Sequence, residues 1–243
     1  MKIICTDYDG TLNHGGITGK KLSAIRKWKE KGNLFCVVSG RQKEFFEEIS
    51  EKNIPIDFLL ANNGAVITDK ENNIVSDVRC DAPIGNGLAE FIFSEGCPFV
   101  YFCGDESFRI KNDAFPEEEG ASYDPCRPLV SFNQISTACR DFNEAARVTA
   151  LIRERFGEYV NPLQNGTCID IVPYGMDKAQ GIYSLLALVG AERADVIAVG
   201  DNVNDEAMIR EFRSYAMENG VASIKALADS ITVSIEELIE KEL

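Results

Sequence analysis

The chain has 243 residues, of which 45% are apolar and 26% are charged, and these proportions exclude a disordered, collagen-like or membrane-embedded protein. Its 39 acidic and 25 basic residues give a net charge of −14, which disfavours binding to DNA or RNA because nucleic acid phosphates carry the same sign. The length allows one large domain or two modest ones.

The first part of the chain alternates between two kinds of segment. Short apolar runs are typical of buried strands, and segments with apolar side chains at helical spacing are typical of helices. In chain order the sequence predicts a strand at 2–6, a helix at 18–31, a strand at 33–38, a helix at 42–52, a strand at 58–61 and a hairpin of strands at 65–68 and 73–76. Because strands alternate with helices, we expect a parallel sheet with helices on both faces.

The pattern changes near residue 81. From there to about residue 159 the sequence predicts mainly strands between an early and a late helix, which is typical of an α+β unit. Alternation resumes after a strand at 168–172, with a helix at 178–190 and a strand at 196–199. The predicted fold class is therefore α/β, with a Rossmann-like parallel-sheet core at 1–80 and 171–243 and an inserted α+β domain at 81–170.

Polar residues cluster where predicted core strands end and where one core helix begins. They are Asp7, Asp9 and Thr11 after the first strand, Ser39, Gly40 and Arg41 after the second, Lys178 at the start of a helix, and Asp201, Asn204 and Asp205 after the strand at 196–199. Ligands of open α/β sheets bind at the carboxyl ends of the strands. We therefore expect these residues to meet in one site.

Paired carboxylates follow the first strand. Asp7 and Asp9 are two positions apart, so in extended backbone their side chains lie on the same side. The glycine-containing turn that follows them suits an anion, which two carboxylates would repel unless a hard divalent cation such as Mg²⁺ lay between them. Asp201 and Asp205 offer further carboxylates. Taken singly, each of these aspartates is equally typical of a cap or a turn.

The other clusters suit a phosphate group. Ser39 and the N–H groups of Gly40 and Arg41 are expected at a helix N-terminus, which favours phosphate, although serine is also an ordinary N-cap. Lys178 is a compact charge that could neutralise a phosphoryl oxygen, or be solvated at a helix start. Asn204 could donate an amide hydrogen bond or cap the next helix.

In this order the clusters resemble the motifs of the haloacid dehalogenase-like (HAD) hydrolases, and within them the Cof-type phosphatases with a type C2B cap. Residues 7–12 resemble the first motif, residues 37–41 the second, residues 175–181 the third and residues 199–208 the fourth. The resemblance spans most of the chain. It implies that the inserted domain is a cap that closes over the strand ends and selects the substrate, with Asp105, Arg109 and Arg127 among its candidate contacts.

The resemblance also implies a reaction. The chain is expected to be a Mg²⁺-dependent phosphatase that hydrolyses small phosphorylated metabolites through an aspartyl-phosphate. Sugar phosphates are the substrates expected before all others. Asp7 would be the nucleophile and Asp9 the acid and base. Mg²⁺ would be held by the carboxylates of Asp7 and Asp201 and the backbone carbonyl of Asp9, and Asp205 would orient a metal-bound water or Lys178. The implied phosphate or substrate contacts are Thr11, Ser39, Gly40, Arg41, Lys178 and Asn204.

Other functions remain open at this point. The same aspartyl-phosphate could pass to another hydroxyl in a phosphotransferase or mutase. A phosphoaspartate receiver or Mg²⁺-binding module would share the acidic strand ends and the lysine without multiple turnover. An inactive relative that binds a partner is a further alternative.

The sequence also bears on location and partners. The early residues do not resemble a signal peptide, and the 8 cysteines are scattered without a Cys-x-x-Cys pair. We therefore expect reduced thiols in a cytoplasmic protein. The expected partner is a small phosphorylated metabolite, with no nucleic acid and no membrane, and the expected state is a monomer or a weak homodimer.

Overall fold

The computed structural model describes residues 1–124 and 131–243, and Arg127, one of the candidate substrate contacts, lies outside the described residues. Its strands are β1 (Ile3–Thr6), β2 (Leu34–Val38), β3 (Phe58–Ala61), β4 (Val66–Asp69), β5 (Ile74–Asp77), β6 (Phe99–Gly104), β7 (Phe108–Lys111), β8 (Ala121–Ser122), β9 (Phe132–Ala138), β10 (Val160–Asn165), β11 (Cys168–Pro173), β12 (Val196–Gly200), β13 (Arg213–Met217) and β14 (Ser230–Thr232). Its α-helices are α1 (Gly19–Glu30), α2 (Phe46–Glu51), α3 (Ala82–Ser94), α4 (Phe142–Phe156), α5 (Lys178–Val189), α6 (Glu206–Glu211), α7 (Ala222–Leu227) and α8 (Ile235–Glu242). Within these described ranges no helix has the length and apolar character that crossing a membrane requires.

The larger sheet has the strand order β14-β13-β12-β1-β2-β3-β4-β5. From β14 to β3 all neighbours are parallel, and β4 then runs antiparallel to β3. The predicted α/β class with a parallel, Rossmann-like core is confirmed. The chain leaves β1 for β2 on one side and later returns to β12 on the other side. The ends of β1 and β12 therefore flank the point where the strand order reverses, which is where such sheets bind ligands.

Helices cover both faces of this sheet, because its central strands are apolar at nearly every position. Alternate residues of β1 are buried in opposite layers. Ile4 belongs to the apolar cluster that includes α1 and α8, whereas Ile3 and Cys5 belong to the cluster that includes α5 and α6. Trp28 of α1 is fully buried in the first layer. This packing on both faces fixes β1, and with it the start of the loop that carries Asp7.

The chain divides into two compact units, one formed by Met1–Ser76 with Lys178–Leu243 and the other by Asp77–Asp177. The second unit contains a sheet with the order β10-β11-β9-β6-β7-β8, in which most neighbours are antiparallel. Helices α3 and α4 bury their apolar side chains against the same apolar cluster as this sheet.

The sequence boundary at residue 170 falls inside β11, and the second unit extends beyond it. All six residues of β11 pair with β10, so the strand belongs to the smaller sheet as a whole. Strand β10 was not predicted because it contains Pro162 and three polar residues, Asn161, Gln164 and Asn165. Proline is tolerated there because β10 is an edge strand.

Candidate active site

The candidate site lies where β1 and β12 end. The backbone N–H of Asp7 donates to the carbonyl of Val199 (2.8 Å), which continues the pairing of β1 with β12. The chain then turns tightly, with Leu12 N donating to Asp7 O (3.1 Å). Asp201 directly follows the last residue of β12. The two aspartates are therefore brought together by strand register.

A buried lysine lies between two carboxylates of this site. Lys178 is the first residue of α5, and its side chain is fully buried. Its Nζ donates to Asp7 Oδ1 (2.6 Å) and to Asp205 Oδ1 (2.5 Å). Burial by itself would lower the pKa of Lys178, but the charges of Asp205 and Asp7 outweigh burial and raise that pKa. Lys178 therefore remains a cation at neutral pH.

The carboxylates outnumber this cation. Burial raises the pKa of Asp7 to about 8; the charge of Lys178 opposes the rise, and the charges of Asp205 and Asp201 add to it. Burial likewise raises the pKa of Asp201, although a hydrogen bond from Thr11 opposes the rise. Because burial opposes the charged form of these carboxylates, the site favours an additional positive charge.

The donor set fits a hard divalent cation. Oxygens of Asp7, Asp201 and Asp205 all lie within 4.8 Å of one another. Thr11 Oγ1 donates to Asp201 Oδ1 (2.6 Å), and Asp205 Oδ2 accepts the N–H groups of Asp201 (2.9 Å) and Asn202 (3.0 Å). Among the described residues, these bonds leave Asp7 Oδ2 and Asp201 Oδ2 unengaged. Carboxylate oxygens are the ligands that Mg²⁺ prefers.

Gly10 leaves the space that Asp201 occupies. A Cβ atom at residue 10 would lie 2.4 Å from Asp201 Oδ2, and its φ of +80° is left-handed. The matched control is Gly16, which has a φ of +83° and no atom within 4 Å of the equivalent Cβ position. Both positions favour glycine, but only one of them adjoins the carboxylates.

Gly10→Ala is therefore expected to weaken Mg²⁺ binding at least about tenfold, because Asp201 must move. Gly16→Ala should change only stability, by about 1 kcal/mol. Isothermal titration with Mg²⁺ and urea unfolding of both variants check this. Equal Mg²⁺ affinities in the two variants would show that the position of Asp201 does not matter for binding.

Asp9 is paired with Arg41 at the edge of the site. Arg41 Nε donates to Asp9 Oδ2 (2.7 Å) and Nη2 donates to Asp9 Oδ1 (2.6 Å), which is a bidentate ion pair. The remaining terminal nitrogen, Nη1, donates to Glu48 Oε2 (2.7 Å). The side chain of Asp9 is 55% exposed, so substrate could reach it.

The second predicted cluster lies at the end of β2, next to β1. The hydroxyl oxygen of buried Ser39 accepts the backbone N–H of Arg41 (3.1 Å), which shapes a tight turn around Gly40. Asn204 is half-buried in the turn Val203–Asp205 between the two aspartates of the last cluster. Direct bonds thus join five of the predicted residues: Asp7, Thr11, Lys178, Asp201 and Asp205. Arg41 is bonded to Asp9 through its side chain and to Ser39 through its backbone.

Sequence reasoning missed the residues that support the site. Lys21 of α1 is buried, and its Nζ donates to the carbonyls of Leu12 (2.6 Å), His14 (3.0 Å) and Gly16 (2.9 Å). It holds the loop that follows the first motif. A lysine at a helix start is usually solvated, so its sequence position carries no signal for this role.

Tyr8 was also missed, although a signal for it exists. The sequence predicts that the two aspartates beside it share one side of an extended backbone, which would direct its ring to the opposite side, although the structure has a helical turn at residues 8–12. The ring is fully buried, and its hydroxyl donates to Glu48 Oε1 (2.9 Å).

Comparisons with known proteins point to one family of hydrolases and one fold. A family model for haloacid dehalogenase-like hydrolases matches residues 4–238. The chain is 25% identical to the 5-amino-6-(5-phospho-D-ribitylamino)uracil phosphatase YbjI of Escherichia coli, over 94% of this chain and 89% of that protein. Among solved structures, a haloacid dehalogenase-like hydrolase from Bacillus subtilis matches with a TM-score of 0.82 and 18% identity, covering 100% of both chains. The HAD subclass IIB sugar phosphatase BT4131 matches with a TM-score of 0.79 and 18% identity, covering 100% of this chain and 99% of that one.

Proposed function

Because this chain belongs to the haloacid dehalogenase-like hydrolase family, we propose that it is a Mg²⁺-dependent phosphatase that hydrolyses phosphomonoesters of small metabolites. The observation that carries the proposal is the buried contact of Lys178 with both Asp7 and Asp205, beside the carboxylate of Asp201. A nucleophile, a fixed cation and cation ligands at one strand end are what phosphoryl transfer to a carboxylate requires.

In the first step a carboxylate oxygen of Asp7 attacks phosphorus and the bond from phosphorus to the leaving oxygen breaks. Asp9 donates a proton to that leaving oxygen, so the alcohol departs neutral. In the second step Asp9 takes a proton from water, which attacks the phosphorus and releases phosphate from Asp7. Thr11, Ser39 with the Gly40 N–H, Lys178, Arg41 and Asn204 are assigned to the phosphoryl oxygens or the substrate.

The carboxylates of Asp7 and Asp201 would hold Mg²⁺ with the backbone carbonyl of Asp9. When bound, the ion supplies the positive charge that lets a carboxylate approach an anionic phosphate. Asp205 keeps both its oxygens in bonds to Lys178 and to backbone N–H groups, which suits an orienting role.

Sugar phosphates are the substrate class that we propose. One of the similar proteins is named as a phosphatase of a phosphoribityl compound and another as a sugar phosphatase. We propose that the unit Asp77–Asp177 is the cap that selects the leaving group. Its candidate contacts already have partners: Asp105 accepts from Arg79 (2.7 Å), and Arg109 pairs with Glu118.

The test is phosphate release from a panel of sugar phosphates, nucleotides, pyridoxal phosphate and an aryl phosphate, with Mg²⁺ and with EDTA. We expect multiple turnovers that depend on Mg²⁺ and are fastest with sugar phosphates. Stoichiometric phosphorylation without turnover would instead favour a receiver or binding module. Phosphorylation of an added alcohol at the expense of phosphate release would favour a phosphotransferase or mutase.

The remaining proposals concern the compartment, the partners and the oligomeric state of the protein. The cysteines that the structure describes are free thiols, which supports a reducing compartment such as the cytoplasm. The net charge of −14 supports a small-molecule partner rather than a nucleic acid. A monomer or weak homodimer remains the expected state.

A further inference from the structure

Glu48 accepts hydrogen bonds from three side chains at the edge of the site. It lies on α2, and its Oε2 accepts from Arg41 Nη1 (2.7 Å). Its Oε1 accepts from the hydroxyl of Tyr8 (2.9 Å) and from Lys52 Nζ (2.6 Å). Lys52 Nζ also donates to the Tyr8 hydroxyl (2.8 Å), which closes the group into a ring of bonds.

This group, formed by Tyr8, Arg41, Glu48 and Lys52, fixes one orientation of Arg41. The Arg41 guanidinium lies over the rings of Phe45 (4.7 Å) and Tyr8 (5.2 Å). Those rings are themselves buried and pack edge to face, with their centroids 4.6 Å apart. With one end bound to Glu48 and one face on the rings, the guanidinium presents its other edge to Asp9.

Asp9 needs such support because its carboxylate is more than half exposed. An exposed aspartate side chain samples several rotamers, whereas a general acid must stay within hydrogen-bond distance of the leaving oxygen. Among the bonds of the described residues, the Asp9 carboxylate is held by Arg41 alone. The orientation of Asp9 therefore depends on what holds Arg41.

We propose that Glu48, fixed by Tyr8 and Lys52, is a positioning residue that sets Arg41 against Asp9. When Asp9 carries the proton of the first step, one of its oxygens still accepts from Arg41, and the other donates the proton to the leaving oxygen. The inference rests on the acid role proposed above for Asp9. An ion pair that served only to stabilise α2 would affect all substrates alike. Loss of a residue that positions the acid should affect only substrates whose leaving group needs a proton.

The leaving group therefore provides the test. A sugar alkoxide leaves poorly without a proton, whereas p-nitrophenolate leaves as an anion. For Glu48→Gln we expect kcat/KM to fall about tenfold to a hundredfold with the sugar phosphate that the wild type hydrolyses fastest. With p-nitrophenyl phosphate we expect a change within about threefold, since kcat/KM reports the first step, which needs no acid there.

The control is Glu47→Gln, which removes the same charge from an exposed position of the same helix and should leave both substrates unaffected. If Glu48→Gln does not fold, Tyr8→Phe removes a single donor to Glu48 and keeps the buried ring. It should shift the ratio between the two substrates in the same direction by a smaller factor.

The outcomes distinguish failure of the positioning role from failure of the proposed function. Equal losses with both substrates, or no loss with either, in a variant whose wild type is active would overturn the positioning role alone. A wild-type chain that releases phosphate from neither substrate would overturn the proposed function, and the positioning role with it. A selective loss with the sugar phosphate supports both.

Discussion

Asp7→Asn is expected to reduce phosphate release at least about a thousandfold, because an amide oxygen is a poor nucleophile and no aspartyl-phosphate can form. The fold should persist, since asparagine has the same shape and its oxygen can still accept from Lys178 Nζ. Phosphate release and urea unfolding of the variant and the wild type check both parts. The control is Asp113→Asn, an exposed position that should leave both measurements unaffected.

The same variant should also change how the stability of the protein depends on pH. The native pKa of Asp7 is about 8, above its ordinary value of 3.8, so between these values the native state binds more protons than the unfolded state. The contribution of Asp7 to stability therefore falls as pH rises through this interval. Without Mg²⁺, Asp7→Asn should become more stable relative to the wild type between pH 4 and pH 8. Phosphate release above about a thousandth of wild type, with an intact mass that excludes deamidation, would contradict the nucleophile assignment.

The sequence could predict those parts of the site whose positions follow from chain order and strand register. Asp7 and Asp201 follow adjacent parallel strands, so a correct assignment of the strands places them together. The parallel core was predicted from the alternation of strands with helices, the family was predicted from the resemblance of four motifs, and both predictions are confirmed. Glu48 could not be predicted, because its bond to Tyr8 joins positions 40 residues apart and depends on how α2 packs. Strand β10 was missed because Pro162 and the polar residues of this segment lack the apolar pattern that predicts a strand.

Lys178→Met is expected to reduce phosphate release at least about a thousandfold and to destabilise the protein by about 3–5 kcal/mol at high pH. The lysine side chain is fully buried between the carboxylates of Asp7 and Asp205, and methionine fills its volume without its charge. Two buried carboxylates would then face each other uncompensated. Lys27→Met, at an exposed position of α1, is the control and should leave both measurements near wild type.

The pH dependence of this variant follows from two pKa shifts. In the wild type the pKa of Lys178 lies above its ordinary value of 10.5, so its stabilising contribution is fully present below that value and is lost only as pH rises through the native pKa. In Lys178→Met, Asp7 loses the cation that opposes the rise of its pKa, so that pKa moves further above 3.8. Between pH 4 and about pH 8 the Asp7 contribution to stability falls with pH in both proteins, whereas above about pH 8 it continues to fall only in the variant. Urea unfolding without Mg²⁺ should therefore give a stability deficit of the variant that is nearly constant between pH 5 and pH 8 and larger at pH 9. Adding Asp205→Asn should restore much of the stability and none of the activity, because it removes one of the two facing charges. A deficit that is independent of pH would show that lost packing, not charge, explains the role of the lysine.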